Sequence, residues 1–257
     1  ELLAAGKLDG TCPTVTGRIM ADNLAGRAAT DREVIHPFAT PLRERAGFQV
    51  LTGNLFDFAI LKTSVISDEF RARYLSTPGQ ENCFEGRAVV FDGAEDYHAR
   101  INDPALQIDE QCILAIRGAG PIGWPRSAEV VNMQPPDALI RRGITSLPTI
   151  GDGRQSGTSA SPSIVHASPE SAAGGGLSWL RTGDILRVDL VQGRCDALVS
   201  AEEIAARQSD VPGAVPESQT PWQKIYRNEV GQLSDGAVLR SAKGFRAVAA
   251  RLPRHNH

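Results

Sequence analysis

The chain has 257 residues, of which 41% are hydrophobic and 22% are charged, and its formal net charge is −3 at pH 7. This composition fits an ordinary globular protein and gives no electrostatic argument for nucleic acid as a partner. No window approaches the roughly 18 apolar residues of a membrane-spanning helix, and the chain does not open on a secretory leader. We therefore expect a cytoplasmic protein with no membrane partner.

The cysteines are spread widely and form no C-x-x-C pair. A closed zinc site or a self-contained iron–sulfur site is therefore not expected from this chain alone, and we predict buried thiols rather than disulfides. The four are Cys12, Cys83, Cys112 and Cys195.

Residues 1–36 are expected to be the end of another domain and its connector. The chain begins without Met on "ELLAAGKLDG", a pattern typical of a helix that ends at Gly6, and a short helix is predicted around Ile19–Leu24. Pro37 and Pro41 then mark a boundary. We expect the chain to be part of a longer polypeptide.

Residues 37–210 show short strands with occasional helices. Strands are predicted at "FQVLTGNL", "FAILKTSVI", "GRAVVFDG", "QCILAIRG" and "SLPTI", and a hairpin at "GDILRVDLVQGRCDALVS". Helical segments are predicted at "DEFRARYLS", "AEDYHARIND", "SAEVVNM", "PPDALIRRG" and "AEEIAARQ". This succession predicts a β-rich α+β fold of barrel-like form and not a doubly wound parallel sheet.

Residues 211–257 differ in composition from the rest. "VPGAVPESQTPWQ" is a proline-rich linker, "WQKIYRNEVGQL" is a predicted helix, and the chain closes on "RLPRHNH". We expect this segment to pack on another surface, such as that of a neighbouring subunit.

Two glycine-rich turns that follow predicted strands could carry chemistry. In "AIRGAGPIGWPRSAEVVNM", Glu129 could bind a hard cation, although by itself it fits a first-turn residue of a helix better. In "GDGRQSGTSASP", the glycines permit close backbone approach and the hydroxyls of Ser156 and Thr158 could bind an anion. An ordinary polar turn is the alternative, because the P-loop lysine and the G-x-S-x-G elbow are absent. We expect His166 to be a partly buried, hydrogen-bonded residue and not a base.

Taken together, these segments resemble the dihydroxyacid dehydratase/phosphogluconate dehydratase family. The resemblance covers about residues 2–208 in the family's order. It rests on "TVTGRIMADNL", "LTGNLFDFAILKTSV", "GRAVVFDG", "GPIGWPRSAEVVNM", "GDGRQSGTSASPSI", "SPESAAGGG" and "TGDILRVDL". The form "QSGTS" and the tail "PESQTPWQKIYR" are more similar to the sugar-acid branch than to the branch of amino-acid biosynthesis.

The resemblance implies a hydro-lyase that converts an aldonate, such as D-xylonate or L-arabinonate, to a 2-keto-3-deoxy acid and water. Family members have an upstream α/β domain, which carries the cysteines of an iron–sulfur cluster and most Mg²⁺ ligands, and a C-terminal β-barrel-like swivelling domain. By this resemblance, residues 1–36 would end the upstream domain and residues 37–210 would form the swivelling domain. A homodimer or homotetramer is expected.

The resemblance also implies roles for individual residues. Ser156 would be the general base, and Glu129 would be a Mg²⁺ ligand from this domain. Thr158 would bind the substrate, and Gly153 and Gly157 would let the loop approach it. The cluster, expected to be of the 2Fe–2S type, would have its ligands on the upstream domain and not in this chain.

Two alternatives stay open at this point. One is a branched-chain dihydroxyacid dehydratase, which shares the family's motifs. The other is a non-catalytic binding or assembly module built on the same barrel, which would account for cysteines that match no cluster motif.

Overall fold

The computed structural model of the chain describes residues 1–42, 46–124, 133–154, 162–209, 215 and 217–245. Its contacts divide the chain into two compact units, Glu1–Ala46 and Gly47–His257. The boundaries expected after residues 36 and 210 stay predictions.

The first unit is formed largely of turns. The amide of Lys7 donates to the carbonyl of Leu2 at 2.9 Å, and Gly6 between them has a φ of 65°. Such a left-handed residue is how a helix commonly ends. The short helix α1 spans Met20–Leu24, where a helix was predicted.

The second unit is built on a closed barrel of eight strands. Their order around the barrel is β1-β2-β6-β5-β4-β3-β7-β8. The strands are β1 Phe48–Gly53, β2 Phe56–Lys62, β3 Cys83–Asp92, β4 Cys112–Arg117, β5 Thr149–Gly151, β6 Ser163–Ser168, β7 Ile185–Asp189 and β8 Arg194–Ala197. The predicted β-rich, barrel-like fold is confirmed.

Short helices lie between the strands and after the last strand. The α-helices are α2 Asp68–Tyr74, α3 Ala94–Arg100, α4 Asp137–Ile140, α5 Ala201–Ser209 and α6 Pro221–Glu229. The 3-10 turns are Thr63–Val65, Pro104–Leu106, Ser171–Ala173, Gly176–Ser178, Leu233–Asp235 and Arg240–Phe245. In the described part of the chain, no helix has the length and apolar character to cross a membrane.

The barrel is mixed, and its parallel part positions the candidate site. Strands β3, β4, β5 and β6 run parallel to one another, and β1–β8 is a further parallel pair. The pairs β1–β2, β2–β6, β3–β7 and β7–β8 are antiparallel. The carboxyl ends of the four parallel strands therefore lie at one edge of the barrel.

The core has two layers separated by the sheet. Ala88, Val90, Ile113 and Ala115 point into the barrel, where Trp179 packs at 2% exposure. Between these positions, the alternate residues of β3 and β4 face a second apolar cluster that includes side chains of α3 and α4. Burial on both faces explains why these two strands read as continuous apolar runs.

Candidate active site

The loops that follow the parallel strands meet at the carboxyl edge of the barrel. After β4 the chain enters residues 118–124, which we call the glycine loop. After β5 it enters residues 152–154, and after β6 it enters residues 169–175. In sheets with parallel strands, ligands bind at this edge, because loops there can reach a common point.

Asp152 ties the glycine loop to the loop after β5. Its side chain is fully buried. One carboxylate oxygen, Oδ2, accepts hydrogen bonds from the amide of Gly118 at 3.0 Å and from the amide and hydroxyl of Ser171 at 2.9 and 2.6 Å. Oδ1 accepts from the amide of Ala119 at 2.9 Å. One buried carboxylate thus joins three loops of the edge.

Glu170 holds the far end of the glycine loop. Its side chain is 1% exposed, and its carboxylate accepts from the amides of Ile122 at 3.0 Å and Gly123 at 2.9 Å. Burial raises the pKa of Glu170, and the two amides partly oppose that rise. The packing leaves no space beside this carboxyl group, since a Cβ placed on Gly120 would lie 2.6 Å from Glu170 Cδ.

The C-terminal part of the chain also contacts the glycine loop. Arg227 Nε, on α6, donates to the carbonyl of Ile122 at 2.9 Å. Gln232 Nε2 donates to Glu170 Oε1 at 3.1 Å, and Gln232 Oε1 accepts from the Glu170 amide at 2.7 Å. The surface on which this segment packs is therefore part of its own chain, whereas docking on a neighbouring subunit stays a prediction.

His166, on β6, is strained and has an unpaired atom. Its φ is 62°, a region that residues other than glycine rarely adopt. Its amide donates to the carbonyl of Gly153 at 2.9 Å, but its buried Nε2 has no hydrogen-bond partner among the described residues. Burial, and then the charge of Arg154, lowers the pKa of His166. His166 is partly buried, as expected, whereas the expected hydrogen bonding is not found for Nε2 within the described ranges.

Most residues predicted for the site lie outside the described residues. These are Glu129, Ser156, Gly157 and Thr158. Gly153 is described, and it lies buried at the edge with its carbonyl bonded to His166. The two segments that carry the other four start from β4 and β5, which are parallel neighbours paired at Ile116 and Gly151.

The described residues do not fit a metal ion or an iron–sulfur cluster. No group of three or more His, Cys, Asp or Glu side chains is arranged to hold a metal within the described ranges. The oxygens of Asp152 and Glu170 are already bonded to N–H and O–H donors. Cys83, Cys112 and Cys195 are buried free thiols, as predicted, whereas Cys12 is an exposed free thiol, so the predicted burial is wrong there. Burial raises the pKa of Cys195. Thiolate ligation is therefore unfavourable at the most buried of these sulfurs.

The residues missed from the sequence are Asp152, Glu170, Arg227 and Gln232. Asp152 lies between two glycines of the quoted motif "GDGRQSGTSASP", and Glu170 lies in "SPESAAGGG", four residues before Gly174. Acidic residues are rarely buried without partners, so a carboxylate next to a glycine-rich turn could have been considered as an acceptor for loop amides.

The fold is a closed mixed barrel with glycine-rich loops at its parallel edge. The sequence family of the dihydroxy-acid/6-phosphogluconate dehydratase C-terminal domain matches residues 33–237 of the chain. The chain belongs to this family, as the sequence motifs predicted.

Several curated dehydratases are similar to the chain. It is 67% identical over 257 residues to D-xylonate dehydratase of Caulobacter vibrioides, covering 100% of this chain and 43% of that protein. It is 36% identical over 251 residues to L-arabonate dehydratase of Azospirillum brasilense, covering 95% and 41%. It is 36% identical over 241 residues to dihydroxy-acid dehydratase of Moorella thermoacetica, covering 93% and 41%. The predicted resemblance to the sugar-acid branch is confirmed, and the chain spans about two fifths of the length of these relatives.

Proposed function

We propose that the chain is the C-terminal part of a sugar-acid dehydratase, which converts a pentonate such as D-xylonate or L-arabinonate to the 2-keto-3-deoxy acid and water. The observation that carries this proposal is the 67% identity to a D-xylonate dehydratase over the whole chain. Identity to the dihydroxy-acid dehydratase is lower, at 36%. The sugar acid is therefore favoured over a branched-chain dihydroxy acid as substrate.

In this proposal, Ser156 is the general base and Thr158 hydrogen-bonds the substrate. Gly153 and Gly157 let the backbone approach it, and Glu129 binds a metal ion. The placement of the described stems supports these roles. The segments that carry Ser156 and Glu129 follow adjacent parallel strands. Asp152 lies at the start of the first segment, and its carboxylate accepts hydrogen bonds from Gly118 and Ala119 at the start of the second.

The proposed chemistry begins with removal of the C2 proton of the substrate by the oxygen of Ser156. The electron pair of that C–H bond forms a C2–C3 double bond as the C3 hydroxyl leaves, and a proton converts the hydroxyl to water. The enol then gains a proton at C3 and loses one from its C2 hydroxyl, which gives the keto acid. A serine hydroxyl is an effective base only when neighbouring donors or positive charge stabilise its alkoxide.

The resemblance assigns polarisation of the substrate carboxylate to Mg²⁺ and the departure of the C3 hydroxyl to a 2Fe–2S cluster. In the proposed protein, Glu129 is the one Mg²⁺ ligand of this chain, and the cluster ligands lie on an upstream α/β domain. The barrel swivels relative to that domain, the polypeptide is a cytoplasmic homodimer or homotetramer, and residues 1–36 end the upstream domain.

The test is Ser156→Ala in the full-length polypeptide, with Ser159→Ala in the same segment as the matched control. Loss of a general base should lower kcat by about 10²–10⁴-fold. The absorption spectrum of any bound cluster should not change. Activity of Ser156→Ala close to that of Ser159→Ala would contradict the role of Ser156.

A substrate panel separates the alternatives. We expect the wild type to prefer D-xylonate or L-arabinonate over D-gluconate and 2,3-dihydroxyisovalerate. Preference for dihydroxyisovalerate would favour a branched-chain dihydroxyacid dehydratase. No turnover of any of these acids by the full-length wild type would favour a non-catalytic module.

A further inference from the structure

The C-terminal segment, residues 217–245, holds the carbonyl groups of the glycine loop. Arg227 Nε donates to the carbonyl of Ile122 at 2.9 Å, and Arg227 Nη2 lies 3.5 Å from the carbonyl oxygen of Gly123. The third guanidinium nitrogen, Nη1, donates to Ser218 Oγ at 2.7 Å. One side chain thus joins the start of its own segment to two consecutive carbonyl groups of the loop.

The backbone N–H groups of the same two residues are held by Glu170. Its carboxylate accepts from the amides of Ile122 and Gly123, and Gln232 of the C-terminal segment bonds Glu170 through both its side-chain amide atoms. Both backbone polar groups of these two residues are therefore fixed, directly or through one intermediate, by residues 227 and 232.

Helix α6 contacts the glycine loop through Arg227. Helix α6 has no fully buried residue, and Trp222 and Ile225 on it are 78% and 52% exposed. The helix therefore adds little to the apolar core. The segment is anchored just beyond it, where Val230 is fully buried and the Ser234 amide donates to Ser168 Oγ at 3.2 Å.

We propose that the C-terminal segment is a positioning element of the proposed active site, with Arg227 and Gln232 as its positioning residues. They fix the glycine loop, from which the chain continues directly toward Glu129. This inference rests on the proposed function. A displacement of about 1 Å in catalytic geometry can cost on the order of 10²-fold in rate, so loosening this loop should affect turnover more than stability.

The experiment uses the full-length enzyme with Arg227→Gln, Arg227→Lys and the control Lys224→Gln, which alters an exposed cation on the same helix. For each protein we would measure kcat and KM for D-xylonate, the melting temperature, and the isotope effect with substrate deuterated at C2. Arg227→Gln should lower kcat by about 10–100-fold. Its KM and melting temperature should stay near those of the control, and its isotope effect should increase because proton removal becomes limiting. Arg227→Lys should recover part of kcat, since an ammonium still donates to a carbonyl.

Either of two kinetic outcomes would overturn the inference. One is equal kcat in Arg227→Gln and Lys224→Gln. The other is a lower melting temperature with unchanged kcat per folded molecule, which would indicate a purely structural role. If Arg227→Gln does not fold, Gln232→Leu is subjected to the same measurements and the same criteria.

A further readout separates this inference from the proposed function. If the wild type turns over no sugar acid, the proposed function fails, but hydrogen exchange still tests the loop. Exchange at the amides of Ile122 and Gly123 should be faster in Arg227→Gln than in Lys224→Gln. Equal exchange in the two variants would overturn the positioning role.

Discussion

Removal of the Asp152 carboxylate should weaken the carboxyl edge of the barrel more than any exposed acidic substitution. The side chain is fully buried and accepts four hydrogen bonds, from the amides of Gly118, Ala119 and Ser171 and from the Ser171 hydroxyl. In Asp152→Ala the amides of Ala119 and Ser171 and the Ser171 hydroxyl lose this acceptor, whereas the Gly118 amide keeps a second acceptor, Ser171 Oγ, at 2.8 Å.

The magnitude follows from the number of unpaired donors. A buried donor left without an acceptor costs about 1–3 kcal/mol, so the lower limit for three donors is roughly 3 kcal/mol. Asp152→Asn is milder, because its carbonyl oxygen can take the place of Oδ2 and keep three of the bonds. Only the Ala119 amide then faces an NH₂ group, at a cost of about 1–3 kcal/mol. The expected order of destabilisation is Ala, then Asn.

The assay is hydrogen exchange of the full-length polypeptide, read at the amides of Gly118, Ala119 and Ser171. A loss of about 3 kcal/mol corresponds to roughly 10²-fold faster exchange, at about 1.4 kcal/mol per tenfold. The matched control is Asp103→Ala, an exposed carboxylate that accepts from one amide, that of Ala105 at 2.9 Å. If Asp152→Ala exchanges no faster than Asp103→Ala at these amides, the reasoning is refuted.

Two further substitutions test the environment of Glu170. Gly120→Ala should lower the free energy of unfolding by about 1–3 kcal/mol, because its Cβ would lie 2.6 Å from Glu170 Cδ. The control Gly244→Ala should leave the free energy of unfolding unchanged, because its Cβ would have no atom within 4 Å. Equal urea midpoints for the two variants would contradict this prediction. Burial raises the pKa of Glu170 above its ordinary 4.5, so its contribution to stability is full below that pH and is lost as pH rises through the folded-state pKa. The melting temperature of the wild type should therefore fall relative to that of Glu170→Gln as the pH rises from 4.5. A difference in melting temperature between the two proteins that does not change with pH would contradict a raised pKa of Glu170.

The elements predicted correctly are those whose local pattern is strong. Strands β1 and β2 alternate around Gly53-Asn54, and β7 and β8 around Gln192-Gly193, so turn chemistry and periodicity agree at both hairpins. Helix α4 begins after Pro136, as "PPDALIRRG" predicted.

Strand β6 was not predicted, because its burial depends on partners distant in sequence. "SIVHAS" has polar residues at both ends, yet both are buried. Ser163 Oγ accepts from Thr149 Oγ1 at 2.6 Å, and Ser168 Oγ accepts from the amide of Ser234 at 3.2 Å. Such bonds make polar side chains compatible with a core position. The periodicity of the segment itself gives no sign of these bonds, so it does not predict a buried strand.

The candidate site was predicted unevenly for a related reason. The hydroxyl-rich and glycine-rich motifs are local, so their position at strand ends could be derived from the sequence. The function of Asp152 and Glu170 could not, because each carboxylate serves amides more than thirty positions away in the glycine loop. That pairing exists only once β4, β5 and β6 lie side by side.

The two carboxylates are at this edge because the glycine loop leaves the hydrogen-bonding ladder of the barrel. Its buried amides then need acceptors other than a neighbouring strand, and an unpaired one would be costly. Asp152 accepts the first pair, from Gly118 and Ala119, and Glu170 accepts the second, from Ile122 and Gly123. These acceptors follow β5 and β6, so the loop after β4 takes its shape from the next two strands of the sheet. Because these amides donate to both carboxylates, an anionic ligand at this edge would meet less repulsion than two bare carboxylates would exert.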